Sequence, residues 1–145
     1  MKINRMDHVS INVNDLSKAK EFFIDLGLEV KAEWEMDGEV LDKVVGMKDV
    51  KTSCVGMGVP DGQTWIELVK YRTASDENGI QQTFPSTLGI RHICFAVDDL
   101  ETMVAHLKMN GTVIFSEVQQ YEESYKLCYV RGPEGIILEL AEEIR

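Results

Sequence analysis

From Asp7 to Leu16 apolar and polar residues alternate, with Val9, Ile11 and Val13 on one side and His8, Ser10 and Asn12 on the other. That period of two is the mark of a half-buried β-strand. It then lengthens to a helical spacing, with Leu16, Ala19, Phe23 and Leu26 forming one apolar stripe. The same succession returns later in the chain. Ile93, Phe95 and Val97 oppose His92, Cys94 and Ala96, and Leu100, Met103, Val104 and Leu107 then make a second stripe. An offset of 84 (92 − 8) pairs His8 with His92, Val13 with Val97, Asp15 with Asp99, Leu16 with Leu100 and Gly27 with Gly111. The chain therefore reads as an internal duplication. Asp15, and Asp98 or Asp99, are expected as helix N-caps, with Glu101 completing a capping box from Asp98. Gly27 and Gly111 are expected in the left-handed C-terminal position.

The rest of each half extends the pattern. Residues 28–36 are expected as a strand, 37–51 as an irregular flap-like insert, and 52–59 and 65–71 as a hairpin about Pro60-Asp61-Gly62. The polar stretch 73–87 is the expected linker. In the second half the expectation is strand 90–97, helix 99–109, strand 112–118, a polar segment 119–124, strand 125–130, the turn 131–135 and strand 136–141. Two βαβββ modules result, at about 1–72 and 89–145, within one domain spanning 1–145.

Composition narrows the class of partner. A formal charge of −10 repels nucleic acid and anionic lipid. No apolar run approaches the roughly 20 residues of a membrane span. Met1-Lys2-Ile3-Asn4-Arg5 leads into the first strand without a signal-like stretch, so a cytoplasmic location is expected. Cys54, Cys94 and Cys128 are scattered, odd in number and form no C-x-x-C pair, so neither a disulfide framework nor a zinc-thiolate site is suggested. Cys94 shares a strand face with His92 and reads as a small residue lining a pocket.

The chemistry rests on four residues. His8 and His92 occupy the first strand of each module, and Glu67 and Glu139 the last, all opposite the apolar face. Two neutral imidazoles and two carboxylates balance one divalent cation, and two waters would complete an octahedron open to substrate; Ni, Co, Mn, Fe or Zn would suit. Trp34, Trp65, Tyr125 and Tyr129 are open between packing and pocket lining. His106, Glu122-Glu123 and Glu142-Glu143 read as solvated surface.

These residues resemble the vicinal oxygen chelate superfamily, which includes glyoxalase I, methylmalonyl-CoA epimerase, extradiol dioxygenases and bleomycin or fosfomycin resistance proteins. The resemblance is carried by Asp7-His8-Val9, Val13-Asn14-Asp15-Leu16, Phe22-Phe23 with Gly27-Leu28, Ile66-Glu67-Leu68, Arg91-His92-Ile93, Val97-Asp98-Asp99-Leu100 and Gly132-Pro133-Glu134-Gly135 before Leu138-Glu139-Leu140. It implies an α+β fold in which two βαβββ modules form an incomplete β-barrel around one metal. It also implies the metal ligands His8, Glu67, His92 and Glu139, in the order of the glyoxalase I branch, and a homodimer. The activity so implied is that of a metal-dependent lyase or isomerase acting on a small molecule. Glu67 and Glu139 would move the proton beside a carbonyl while the metal stabilises the enediolate. The alternatives are an acyl-CoA epimerase, a ring-cleaving dioxygenase and a protein that sequesters a small aromatic or antibiotic. Glu67 as a fourth ligand counts against the dioxygenase, and an intact tetrad against sequestration.

Overall fold

Where an apolar stripe at helical spacing follows an alternating strand, the helix folds back over the strand's apolar side, and this happens twice. The computed structural model describes all 145 residues. They divide into two compact units, Met1–Ile80 and Gln81–Arg145. The first runs β1 (His8–Asn12), α1 (Leu16–Leu26), β2 (Glu29–Asp37), α2 (Glu39–Val45), β3 (Lys51–Gly58) and β4 (Trp65–Thr73). The second runs β5 (His92–Ala96), α3 (Leu100–Met109), β6 (Val113–Ile114), β7 (Gln119–Tyr121), β8 (Tyr125–Arg131) and β9 (Ile137–Glu143). The sheet orders correspond: β1-β4-β3-β2 in one unit, β5-β9-β8-β6 in the other, with β7 also paired to β8. In each, the His-bearing strand lies parallel to the Glu-bearing strand and the remaining pairs are antiparallel. This is the expected α+β architecture of two βαβββ-type sheets.

Each core lies between helix and sheet. Ala19, Phe23 and Leu26 of α1 are buried, as are Ile66, Leu68, Val55 and Met57 of the strands on which α1 packs. In the second unit Leu100, Val104 and Leu107 of α3 are buried together with Leu138, Leu140, Cys128 and Val130. Side chains of this size contribute roughly 1.5–3 kcal/mol each on full burial, so these rows hold the helices to the sheets.

The helix ends follow hydrogen-bond accounting. The Asp15 carboxylate accepts from Lys18 N–H at 3.1 Å, and Gly27, at φ 117°, ends α1 with its own N–H bonded to the carbonyls of Ile24 and Phe23. Asp99 caps α3, accepting Thr102 N–H at 3.0 Å and the Thr102 hydroxyl at 2.8 Å. With Asp99 rather than Asp98 as the cap, Glu101 falls out of capping-box register and instead pairs with Lys126 at 3.1 Å.

Three expectations are corrected. The insert 37–51 is not irregular throughout, because it holds α2 between Gly38 and Gly46. The Asp42 side chain secures its exit by accepting the N–H groups of Asp49 and Val50, both at 2.9 Å. The strand expected over 112–118 shrinks to Val113–Ile114. There the Ser116 hydroxyl accepts Tyr129 N–H at 2.6 Å, so a side chain replaces the strand ladder. Finally, the segment 119–124 is not merely polar loop, since its first three residues pair with β8. No helix is long and apolar enough to cross a membrane.

Candidate metal centre

Strand register decides which side chains meet. In the first unit Ser10 lies beside Glu67, and Glu67 beside Gly56, so His8, Ser10, Trp65, Glu67, Gly56 and Trp34 share the sheet face turned away from the buried row. In the second, Cys94 lies beside Glu139 and Glu139 beside Tyr129, which puts His92, Cys94, Glu139, Tyr129 and Arg131 on the equivalent face. The structure thus brings His8 to Glu67, with Nε2 4.0 Å from Oε2, and His92 to Glu139, with Nε2 3.0 Å from Oε2.

Both carboxylates are largely sheltered, with side-chain exposures of 21% for Glu67 and 18% for Glu139. Neither forms an ion pair with a lysine or arginine; the histidine is each one's neighbour at the site. A sheltered carboxylate without a cation is costly, and a divalent ion is one natural remedy. Two ligands bound at about 2.1 Å and separated by roughly 90–110° stand about 3.0–3.4 Å apart. The His92–Glu139 pair already has this spacing, and the His8–Glu67 pair, at 4.0 Å, stands just outside it. The donor types fit as well, since imidazole nitrogen and carboxylate oxygen suit the later first-row divalent metals.

The surroundings differ between the two pairs. His8 stacks on Trp65, with ring centroids 4.5 Å apart and planes at 29°, and Trp34 meets Trp65 edge-on at 6.0 Å. Gly56 makes this wall possible: a Cβ there would stand 3.2 Å from two Trp65 ring atoms and 3.3 Å from Trp34. Asp7 adds a carboxylate at His8 Nδ1, 2.9 Å away, and takes Arg5 Nη2 at 2.7 Å on its other oxygen. The His8 and Arg5 hydrogen bonds hold the Asp7 carboxyl below the usual Asp range. In the second unit the wall is Tyr129, 5.1 Å from His92 centroid to centroid, backed by Phe115 and by Arg131, whose guanidinium carbon lies 4.7 Å from the Phe115 ring centre. Burial, then Glu139 and Cys94, push the Tyr129 phenol up.

The surroundings of the cysteines do not activate them as nucleophiles. Burial raises all three thiols, and the Glu139 carboxylate raises Cys94 further, which disfavours thiolate. Tyr125, at the far end of β8, is exposed and pairs with Glu143. His106 lies on the exposed side of α3 beside Asn110. The acidic group Asp99, Glu101 and Glu142 is occupied structurally: Asp99 caps α3, Glu101 holds Lys126, and Glu142 accepts Leu100 N–H at 2.8 Å. The sequence pattern gave Asp7, Gly56 and Arg131 no role at this site. A signal existed for Asp7, because the duplication pairs it with Arg91, of opposite charge.

The glyoxalase/bleomycin resistance protein/dioxygenase superfamily model matches residues 5–140. The chain belongs to this superfamily. The match spans both units, and the superfamily's description includes enzymes. A glyoxalase family protein from Bacillus cereus is 37% identical in its crystal structure, with a TM-score of 0.94 over 100% of this chain and 97% of that one. The uncharacterized protein YaeR of Escherichia coli (strain K12) is 25% identical over 143 residues, covering 97% of this chain and 98% of YaeR. The trypanothione-dependent glyoxalase I of Leishmania major, 22% identical with a TM-score of 0.65 over 97% of this chain and 87% of that one, shares the fold.

Proposed function

We propose that this superfamily member is a divalent-metal-dependent lyase or isomerase of the glyoxalase I type, moving a proton on a carbon beside a carbonyl of a small molecule. The observation that carries the reading is the repeated pair: a histidine and a sheltered carboxylate, 4.0 Å and 3.0 Å apart, at equivalent register positions of two sheets. His8, Glu67, His92 and Glu139 would hold the ion. When bound, it supplies Lewis acidity to two neighbouring substrate oxygens.

The chain's own residues do the rest. The carboxylates take and return the proton, a task suited to groups screened from water on faces lined by Trp34, Trp65 and Tyr129. Those rings exclude water and give a flat or apolar substrate group something to lie against. The same Trp34–Trp65 wall favours a second reading, sequestration of a small aromatic molecule. A homodimer is part of the proposal, since β1, β2 and β5 each end their own sheet. Light scattering at micromolar concentration checks it, and a monomer removes that part.

Elemental analysis and exchange of the substrate α-proton in D₂O test the activity. About one divalent ion per chain is expected after reconstitution with Ni, Co, Mn or Zn, together with exchange of a hemithioacetal or, on the epimerase alternative, of a branched acyl-CoA thioester. Failure to take up any of the four metals would overturn the enzymatic reading, and tight binding of aromatic ligands by the metal-free protein would then establish the second.

A further inference from the structure

The duplicated histidines are equivalent in register but not in how their rings are held. A carboxylate only accepts hydrogen bonds, so the 2.9 Å contact between His8 Nδ1 and Asp7 Oδ2 requires the proton to be on Nδ1. In the neutral ring Nε2 then carries the lone pair, and Nε2 is the atom that looks toward Glu67. Asp7 is itself braced. Arg5 holds its other oxygen, its backbone carbonyl accepts Trp65 N–H at 3.2 Å, and the neighbouring Met6 carbonyl accepts the Thr64 hydroxyl at 2.7 Å. Stacking on Trp65 fixes the plane of the His8 ring. Hydrogen bond and stack together leave the imidazole one orientation and one tautomer.

His92 has no such support. The residue before it is Arg91, which donates to the Ile90 carbonyl instead. The contacts of the His92 ring are Glu139, through Nε2 at 3.0 Å, and the face of Tyr129. That approach is an ion-pair distance rather than a hydrogen bond, and no acceptor stands at Nδ1 to fix the tautomer.

We infer that Asp7, braced by Arg5, is a positioning residue that fixes His8 as the Nδ1–H tautomer and so keeps an unprotonated Nε2 turned toward Glu67, a service His92 lacks. The inference rests on the metal reading for its purpose but not for its geometry. An exposed ion pair usually contributes little to stability. The gain is in ligand presentation: a carboxylate behind a ligating imidazole sets its tautomer and raises its basicity, and losing such a partner typically costs 10–100-fold in metal affinity.

The test uses ¹⁵N shifts of the imidazole nitrogens in the metal-free protein at about pH 8, above the ordinary imidazole pKa, with zinc titrations of the same samples. Wild-type His8 is expected as Nδ1–H, and His92, which lacks such a partner, as a mixture of both tautomers. Asp7→Ala should release His8 to the other tautomer and weaken zinc binding about 10–100-fold, leaving His92 and the far-ultraviolet circular dichroism unchanged. Asp7→Asn, which retains an acceptor oxygen, should restore most of the wild-type tautomer, and Arg5→Ala should have a smaller effect than Asp7→Ala. An Nε2–H tautomer at His8 in the wild type, the same tautomer with and without Asp7, or unaltered zinc affinity after the tautomer has changed would each overturn the inference. If the wild type shows the expected tautomers but binds none of the candidate metals, the hold of Asp7 on His8 is supported and the metal reading is what falls.

Discussion

Glu67 and Glu139 occupy the same place in two copies of one sheet, yet the residue beside each is as different as side chains allow. Gly56 sits next to Glu67 and Tyr129 next to Glu139. In the first unit the room left by glycine is filled by Trp34 and Trp65, and the histidine stacks on the latter. In the second, the tyrosine itself fills the room and tilts against its histidine. The backbone therefore repeats the register of histidine and carboxylate, while the neighbouring strand decides what surrounds them. Duplication preserved the register and let the two units take different walls.

The largest effects should come from the carboxylates. With metal fully loaded, Glu67→Gln and Glu139→Gln should each lower α-proton exchange by about 10²–10⁴-fold, the usual loss of a general base. A loss confined to one variant would break the symmetry, assigning the base to that unit and leaving the other pair as ligands only. Wild-type exchange in both would remove the carboxylates from proton transfer altogether.

Next come the cores. Phe23 of α1 and Leu107 of α3 are both fully buried against their sheets. Phe23→Ala should cost about 3–5 kcal/mol and Leu107→Ala about 2–5 kcal/mol, read from urea denaturation. If the units unfold separately, each variant shifts only its own transition, as hydrogen exchange resolved by residue would show. A common transition in both cases would join them energetically.

Most of this framework was legible before any coordinates, for identifiable reasons. The switch from a period of two to a helical period at Leu16 and Leu100, bounded by Asp15 and Gly27, or Asp99 and Gly111, combines binary patterning with cap chemistry, and both signals agree there. The His–Glu pairs were legible because each residue stands out of phase with an apolar row. The helix α2 was not legible. Val40, Leu41, Val44 and Val45 do share one arc, but the helix is only seven residues long and buries only Leu41, and its flanking Gly38 and Gly46 read as loop. The shortened β6 was illegible for another reason. The capture of Tyr129 N–H by the Ser116 hydroxyl is a tertiary event that local alternation in Thr112 to Val118 does not encode. Asp7 was visible as a residue, but its role needed the side-chain direction that places its carboxylate on His8 Nδ1.

A smaller effect sharpens the contrast between the walls. Gly56→Ala puts a methyl 3.2–3.3 Å from two indole rings, so the rings must shift by a few tenths of an ångström. The expected cost is about 1–3 kcal/mol, as for other overpacked sites, with a changed near-ultraviolet circular dichroism from Trp34 and Trp65. Changing the neighbour of Glu139 instead, by Tyr129→Leu, adds no indole and should leave that tryptophan signature untouched. An unperturbed tryptophan spectrum in Gly56→Ala would mean that the glycine is not what admits the wall.

The smallest expected effect is electrostatic and concerns the second unit's helix start. The Asp99 carboxylate lies below the ordinary Asp range, first because Thr102 N–H bonds to it and second because the Thr102 hydroxyl does. A group whose pKa is depressed on folding stabilises the folded state while it is ionised. Its contribution is therefore present above the unfolded value, about 3.9, and is lost as pH falls through the lower folded value. Acid titration of stability should show this loss below about pH 4, and it should be absent in Asp99→Asn, whose amide oxygen still accepts the Thr102 N–H but does not titrate. Thr102→Val separates the two causes: the backbone bond remains and the hydroxyl bond goes, so the Asp99 pKa, followed by the carboxyl ¹³C shift, should rise part of the way back. A full return to the ordinary value would make the hydroxyl the dominant partner. No movement would leave the backbone amide, the bond that a helix cap exists to make, as the whole cause.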